Sequence, residues 1–456
     1  MSKQTRAAGV LILLCVAVCL LTQGRAAAER HVTAHVLENG LQVLILEKRT
    51  VPVVAVQVWY RVGSRHDPEE RRGIAHLFEH MMFRGSEKYG PEEHARLIND
   101  VGGSSNAYTF FDMTVYHERL PSSELELALE LEADRMDRLA LTQETLDTER
   151  EVVKEEFRGY ADDPFFEVLS QALEILYPNH PYGLTPLGRM ADLEALSLDD
   201  CQAFYESRYA PNNAVLVIVG DTDAANALTL CEKHFGGMTS NRTASPGDLA
   251  LEPREEIGPH KLRAAIPVRA TALAFYVPEA NHADTAPLRV LAHILWDGES
   301  SRLHTRLVRD RELAVAVLGH HQVVQGPGVF ACGAAHLPNI SSRKVARALV
   351  QELGRLKKED VTDGELEKAR KQLLAAKVFE RYTAEGLADG LGFAEVVEGD
   401  YRCFEDELDD FRRVNKADIR RVANEYFTDA NRVVFFVRPK RSNPLIWLYG
   451  VIRSLF

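Results

Sequence analysis

The 456-residue sequence predicts an α+β fold built from two homologous halves, each a mainly antiparallel sheet covered by helices. Three observations carry that reading. Strand-like and helix-like runs follow the same order twice along the chain. Paired landmarks recur at an offset of about 220 residues, as an internal duplication produces. Thr142 and Leu146 correspond in this way to Thr362 and Leu366, and Asp200 to Asp418. A stretch rich in Ser, Pro, Gly and acids, 239–260, separates the two series as a linker. The halves are therefore 31–238 and 261–440.

The elements follow in order. His31 to Glu38 and Leu41 to Glu47 are β-rich runs joined by Asn39-Gly40, a hairpin signal. Val51 to Val62 is a mostly apolar third strand, and a charged loop, Ser64 to Arg72, leads to Gly73 and a helix. Gly102-Gly103 breaks the next helix, and Asn106 to Leu120 reads as one strand. Ser123 with Glu126 has the spacing of a capping box opening a helix to about Leu139. Thr142 opens another helix, to about Tyr160; two more helical stretches follow, then an apolar strand from Asn213 to Gly220. In the second half, Lys261 to Val277 and Leu313 to Leu337 supply strands. Ala286 to Trp296, Ser341 to Lys358, a run after Thr362 and Ala417 to Phe427 are helical, and Asn431 to Val437 closes with a strand.

Composition and termini bound the function. An apolar fraction of 46% and a charged fraction of 27% are those of a globular protein. A formal charge of -13 argues against nucleic acid as a partner, since a phosphate backbone needs a basic face. Lys3 and Arg6, the apolar run Val10 to Leu21 and the small residues Ala26-Ala27-Ala28 read as an export signal over 1–28. The protein is thus expected outside the cytoplasm, in the periplasm if the source is bacterial. Cys201, Cys231, Cys332 and Cys403 are too scattered for a disulfide framework or a thiolate metal site and are expected as lone thiols. The tail 441–456 carries Leu445, Ile446, Trp447, Leu448 and Tyr449; it is too short to span a bilayer, so it docks on the protein or touches a membrane surface.

The chemistry concentrates in His76-Leu77-Phe78-Glu79-His80. Residues four apart share a helix face, so His76 and His80 can direct two imidazoles at one ion with Glu79 beside it. Neutral imidazole is a zinc ligand, and a carboxylate next to a zinc-activated water is a general base. A surface helix carrying two histidines and an acid is the plainer reading. A catalytic zinc needs a third protein ligand. The helix after Thr142 offers Glu149 and Glu156 on one face, and also Glu151 and Glu155, which a solvated surface explains equally well. The duplication discriminates. Ala369 and Ala376 stand where Glu149 and Glu156 would recur, and Trp296 and Asp297 stand for Glu79 and His80, with only His293 matching His76. One half has a full set of metal-site groups and the other has lost four of five together. His66, His94, His117 and His180 have no partner at ligand spacing and are expected to be solvated or capped, and His320-His321 on a strand face opposite ways.

The chain resembles the pitrilysin/insulinase family of zinc peptidases, which includes the mitochondrial processing peptidases. The resemblance runs from about His31 to Pro439 and is carried by Gly73 to Met81, by Gly102-Gly103 with Asn106-Ala107-Tyr108-Thr109, and by Glu149 to Glu156. It implies a third ligand about 75 residues after the second histidine of H-x-x-E-H. Glu156, 76 residues after His80, is then the ligand, and Glu149 a supporting acid. It implies one zinc per chain, Glu79 as the base in peptide hydrolysis, and a substrate strand added along a sheet edge near Asn106. Non-catalytic relatives that serve as scaffolds are the alternative. One departure stands out: Val308 and Val315 occupy the register where many members carry a substrate-holding Arg and Tyr, with Arg309 one residue away. The resemblance therefore implies a homologous metal-free partner subunit supplying those residues, or else a homodimer.

Overall fold

The computed structural model describes residues 31–240, 250–251 and 258–440. The expected export signal, the apolar tail and most of the expected linker lie outside the described residues. Two sheets dominate. The first holds β1 (Val32–Val36), β2 (Gln42–Glu47), β3 (Val53–Tyr60), β4 (Ser104–Thr109), β5 (Thr114–Pro121) and β6 (Ala214–Gly220), in the order β1-β2-β6-β3-β5-β4. The second holds β7 (Pro259–Ala264), β8 (Arg269–Val277), β9 (Ala316–Gln322), β10 (Gly328–His336) and β11 (Arg432–Pro439), in the order β7-β11-β8-β10-β9.

The two sheets repeat one topology. In each, the last strand of the half inserts between the first long strand and its successor. It pairs parallel with one (β6 with β2, β11 with β7) and antiparallel with the other (β3, β8). Everything else is antiparallel. The inserted β6, Ala-Val-Leu-Val-Ile-Val-Gly, is buried throughout, and β3 nearly so. Such unbroken apolar runs belong to strands covered on both faces. The edge strand β4, Ser-Ser-Asn-Ala-Tyr-Thr, alternates exposed and covered residues.

Helices of the first half are α1 (Ile74–Met81), α2 (Glu93–Asp100), α3 (Leu125–Asp137), α4 (Gln143–Ala161), α5 (Pro164–Leu176), α6 (Met190–Ala195), α7 (Leu198–Arg208) and α8 (Ala224–Phe235). Those of the second are α9 (Thr285–Trp296), α10 (Ser342–Leu356), α11 (Asp363–Glu380), α12 (Ala384–Phe393), α13 (Arg402–Arg413) and α14 (Lys416–Tyr426). One face of the first sheet (Val56, Val58, Leu216, Ile218) packs on Phe78, Leu129, Phe204 and Phe235 of its own helices. Because side chains alternate along a strand, Ala55, Trp59, Val215, Val217 and Val219 point the other way. That face is covered by Leu387, Leu391 and Phe404 from the second half. Reciprocally, Leu173, Leu176 and Tyr177, on and just after α5, pack against Leu262, Ala274, Val433 and Phe435 of the second sheet. α5 and α12 occupy equivalent places in the duplication, so each half lends the same helix to the other's sheet.

Three sequence expectations change. Asn106 to Leu120 is a hairpin, not one strand: Phe110–Met113 turn between β4 and β5 without any Gly or Asn-Gly to announce it. The Ser123–Glu126 capping box does not form, because Ser122–Glu124 make a tight turn and the Ser123 hydroxyl goes to Glu124. The helices Ala384–Phe393 and Arg402–Arg413 are absent from the elements expected from the sequence; the first carries Gly386, Gly390 and Gly392, residues of low helix propensity. Their absent side chains leave room instead: a Cβ on Gly390 would meet the Phe404 ring at 2.2 Å, and one on Gly392 the Trp59 indole at 2.1 Å.

Candidate metal centre

α1 is short, and its ends are fixed from outside. At the start, Gly73 adopts φ 101, and its Cα lies too close to the Leu187 carbonyl for any Cβ, which would sit 2.7 Å away. The first amides of a helix need outside acceptors. The buried Asp67 carboxylate supplies them, accepting from the Gly73 amide at 2.7 Å and the Ala75 amide at 3.1 Å. Burial pushes the Asp67 carboxyl up to about 7 against those two hydrogen bonds. Ile74, Ala75, Leu77, Phe78 and Met81 face the core, which leaves His76, Glu79 and His80 on the opposite side. α4 lies across that side. Thr142 caps it by accepting from the Thr145 amide, so its register, and with it Glu149 and Glu156, is set from its first turn.

The geometry brings His76, His80 and Glu156 together, each offering one ligand atom within 4.8 Å of the others. Glu156 Oε2 lies 3.6 Å from His76 Nε2 and 3.3 Å from His80 Nε2. Ligands bonded tetrahedrally to zinc at about 2.0–2.1 Å stand roughly 3.4 Å apart, so this donor set and spacing fit zinc. On its far side, His80 Nδ1 is 3.4 Å from Glu149 Oε2, and Glu149 Oε1 is 2.5 Å from Arg84 Nε. Glu149 is 1% exposed, so it backs His80 from within the protein instead of reaching the centre. Glu79 sits beside the centre with its carboxylate facing the Thr109 hydroxyl and amide, at the end of β4, and their polarity partly offsets the effect of burial on it. Asn106 is exposed two residues earlier than Tyr108 on that same strand, paired in register with His117. Since β4 is the sheet's edge, its outer main-chain groups are open to a further strand.

The electrostatics follow from burial against charge. Burial lowers His76. It also opposes charge on His80, but hydrogen bonds to Glu149 and Glu156 and the nearby Glu79 outweigh it, raising His80 to about 9. Burial raises the Glu79 carboxyl, partly offset by Thr109. Glu156 is held low by its hydrogen bond to His80, and Glu149, despite burial, by His80 and Arg84 together. Carboxylates converging on two imidazoles draw positive charge into this spot, as a divalent cation requires.

Asp67, Arg84 and Thr109 are missing from the sequence reading. Only Thr109 had a signal there, as part of Asn106–Thr109. His94 also differs from expectation. It is buried, not solvated, against Glu118 and Glu132 on neighbouring elements. Arg135 already pairs with Glu132, Nε to Oε2 at 2.9 Å, and its guanidinium lies 4.4 Å from the Tyr116 ring centroid. That arginine supplies the positive charge which a metal would otherwise bring, so we read this second group as an ionic core element. In the second half, His293 Nδ1 meets Asp297 at 2.6 Å, while Ala369, at the position matching Glu149, is buried. Arg309 is an exposed side chain 3.5 Å from Asp310.

Known proteins resemble this chain in sequence and fold. Residues 42–188 match the family model described as insulinase (peptidase family M16), and 195–373 the one described as peptidase M16 inactive domain. The chain is 32% identical over 409 residues to the zinc protease PqqE of Helicobacter pylori, covering 88% of this chain and 92% of that one. It is 26% identical to the uncharacterized zinc protease YmxG of Bacillus subtilis, covering 86% and 95%. Among solved structures, a protease from Helicobacter pylori superposes with a TM-score of 0.83 at 30% identity, covering 90% of this chain and 100% of that one. A peptidase M16 inactive domain from Pseudomonas fluorescens shares the fold with a TM-score of 0.79 at 19% identity, covering 91% and 99%. The chain belongs to the insulinase family of M16 peptidases.

Proposed function

We propose that this protein is an exported zinc metalloendopeptidase that cuts peptides or unfolded polypeptides. The observation that carries the proposal is the convergence of His76, His80 and Glu156 at zinc-ligand spacing, with the Glu79 carboxylate beside them, facing Thr109. Zinc held by those three would supply a Lewis acid that polarises the scissile carbonyl and acidifies a water. Glu79 takes the proton from the attacking water and delivers it to the leaving amine; a carboxyl raised by burial suits both transfers. Glu149 accepts from His80 Nδ1–H, which fixes the tautomer and leaves the Nε2 lone pair facing the centre. The peptide adds to the open edge of β4, its main chain paired and its scissile bond beside Glu79, with Asn106 among its contacts.

A scaffold role has less support, since it needs none of these groups and all of them are in place. The second half contributes no metal site, and Val308 and Val315 leave the expected Arg and Tyr unfilled. This supports a chain that works opposite a homologous metal-free subunit, or opposite a second copy of itself. The export signal read over 1–28 supports a periplasmic or otherwise extracytoplasmic site of action, with the apolar 444–456 segment read either as a docking segment or as a contact to a membrane surface. The test is cleavage of a quenched unfolded polypeptide by the chain alone and mixed with a metal-free homologue. Chelator should abolish cleavage and zinc restore it; cleavage indifferent to chelator would sink the proposal.

A further inference from the structure

The β4–β5 hairpin carries both the open edge and Thr109, and its tip is gripped by the second half. Asp112 lies in the hairpin tip and is 1% exposed. Its Oδ1 accepts from the Tyr182 hydroxyl at 2.6 Å and pairs with Arg65 Nη1 at 3.2 Å. Its Oδ2 accepts from the backbone amide of Gln325, at 3.0 Å, in the β9–β10 turn of the second half. Gln325 Oε1 in turn accepts from Arg65 Nη2 at 2.5 Å, and the Tyr182 oxygen accepts from the Gly326 amide at 3.1 Å. The amides of Ser64 and Arg65 donate to the Phe110 and Phe111 carbonyls, both at 3.0 Å, so the same segment ties the tip to the approach to α1.

We infer that Asp112 is a positioning residue through which the second, metal-free half holds the β4–β5 hairpin in place for the peptide. The physical reason is entropic. A hairpin at a sheet edge offers a ready template only if it is ordered before the peptide arrives; otherwise each binding event must order it. Arg65 and Asp112 are both buried, so neither can turn to water if the node opens, and each keeps the other and Gln325 in place. The second half thereby acts on peptide binding without touching the metal ligands. This rests on the peptidase reading above.

The test uses the full chain with zinc and two variants. Asp112→Asn strikes the node directly but leaves Arg65 buried without its counter-charge. Gln325→Ala lies in the other half and removes the side-chain acceptor for Arg65, together with the Nε2 donor to the Val396 carbonyl, while leaving the Arg65–Asp112 pair in place, so it reports even where Asp112→Asn fails to fold. For Gln325→Ala, amide exchange within 104–114 should quicken about tenfold, the value of one charge-assisted hydrogen bond. KM for a cleaved peptide should rise by a similar factor, with kcat within twofold of wild type and zinc content unchanged. Unchanged exchange in 104–114, or faster exchange with unchanged KM, overturns the inference. A wild-type chain that holds zinc and cleaves nothing, both alone and mixed with a metal-free homologue, overturns the peptidase reading instead, and with it the role in peptide binding.

Discussion

Glu156 and Glu149 stand two helical turns apart on one face of α4, yet the structure gives them different tasks, and the difference is measurable. Glu156 faces both Nε2 atoms at 3.3–3.6 Å, with 33% of its side chain exposed, whereas Glu149 touches only His80 Nδ1 and is 1% exposed. Glu149→Gln removes a carboxylate behind a ligand, and outer-shell losses of this kind weaken metal binding about 10–100-fold, or about 1.4–2.8 kcal/mol. Glu156→Gln removes one of three ligands and should exceed the upper end of that range. The variants should reverse in stability. Glu149→Gln leaves Arg84 Nε facing an amide in a covered site and should lower Tm, while the half-exposed Glu156 should cost little. Competition against a chromophoric chelator gives the affinities, and thermal unfolding gives the second ranking. A larger loss of zinc affinity from Glu149→Gln than from Glu156→Gln would refute the assignment.

Other outcomes follow from particular contacts. Asp67→Ala strips the Gly73 and Ala75 amides of their acceptor and should cost about 2–4 kcal/mol in denaturant unfolding; a loss below 0.5 kcal/mol would mean other groups cap α1. Glu118 is fully buried, and burial raises its carboxyl from 4.5 to about 7. A raised acid favours the native state fully below the unfolded pKa and loses that contribution as pH rises through about 7, on the order of 3 kcal/mol. Glu118→Gln should therefore gain on wild type in unfolding free energy between pH 5 and pH 8; a constant difference would contradict this. Gly392→Ala pushes a methyl into Trp59 where α12 crosses to the first sheet, and should cost about 1–3 kcal/mol. For the same reason, 31–238 expressed alone leaves Trp59 and its apolar neighbours uncovered and should not unfold cooperatively; a sharp transition at the wild-type Tm would show that the exchanged helices are dispensable.

The legible parts of this protein are those that depend on local spacing. His76 and His80 share a face because they are four apart on a helix, and Glu149 and Glu156 because they are seven apart. The repeated order of strands revealed the duplicated topology, and loss of the metal-site groups from one copy singled out α1 and α4. Contacts between distant segments were not legible. Asp67 reaches α1 from a loop, Arg84 reaches Glu149 from beyond the end of α1, and Thr109 meets Glu79 only because β4 runs beside α1. The exchange of α5 and α12 was hidden for a further reason. A glycine that breaks a helix and a glycine that admits a neighbouring indole look identical in sequence, and Gly392 is the second kind. His94 misled in the same way, since nothing within its own helix shows that Glu118 and Glu132 close over it.

The central claim is that Glu79 moves a proton at a zinc centre held by His76, His80 and Glu156. The most direct measurement determines zinc content and peptide cleavage on the same samples of wild type and Glu79→Gln. Glu79 is not placed as a ligand, so both should hold one zinc per chain. Only wild type should cleave efficiently, with the variant slower by at least about 100-fold, the usual contribution of a general base. A variant that cleaves at the wild-type rate, or a wild-type chain that takes up no zinc, would contradict the account.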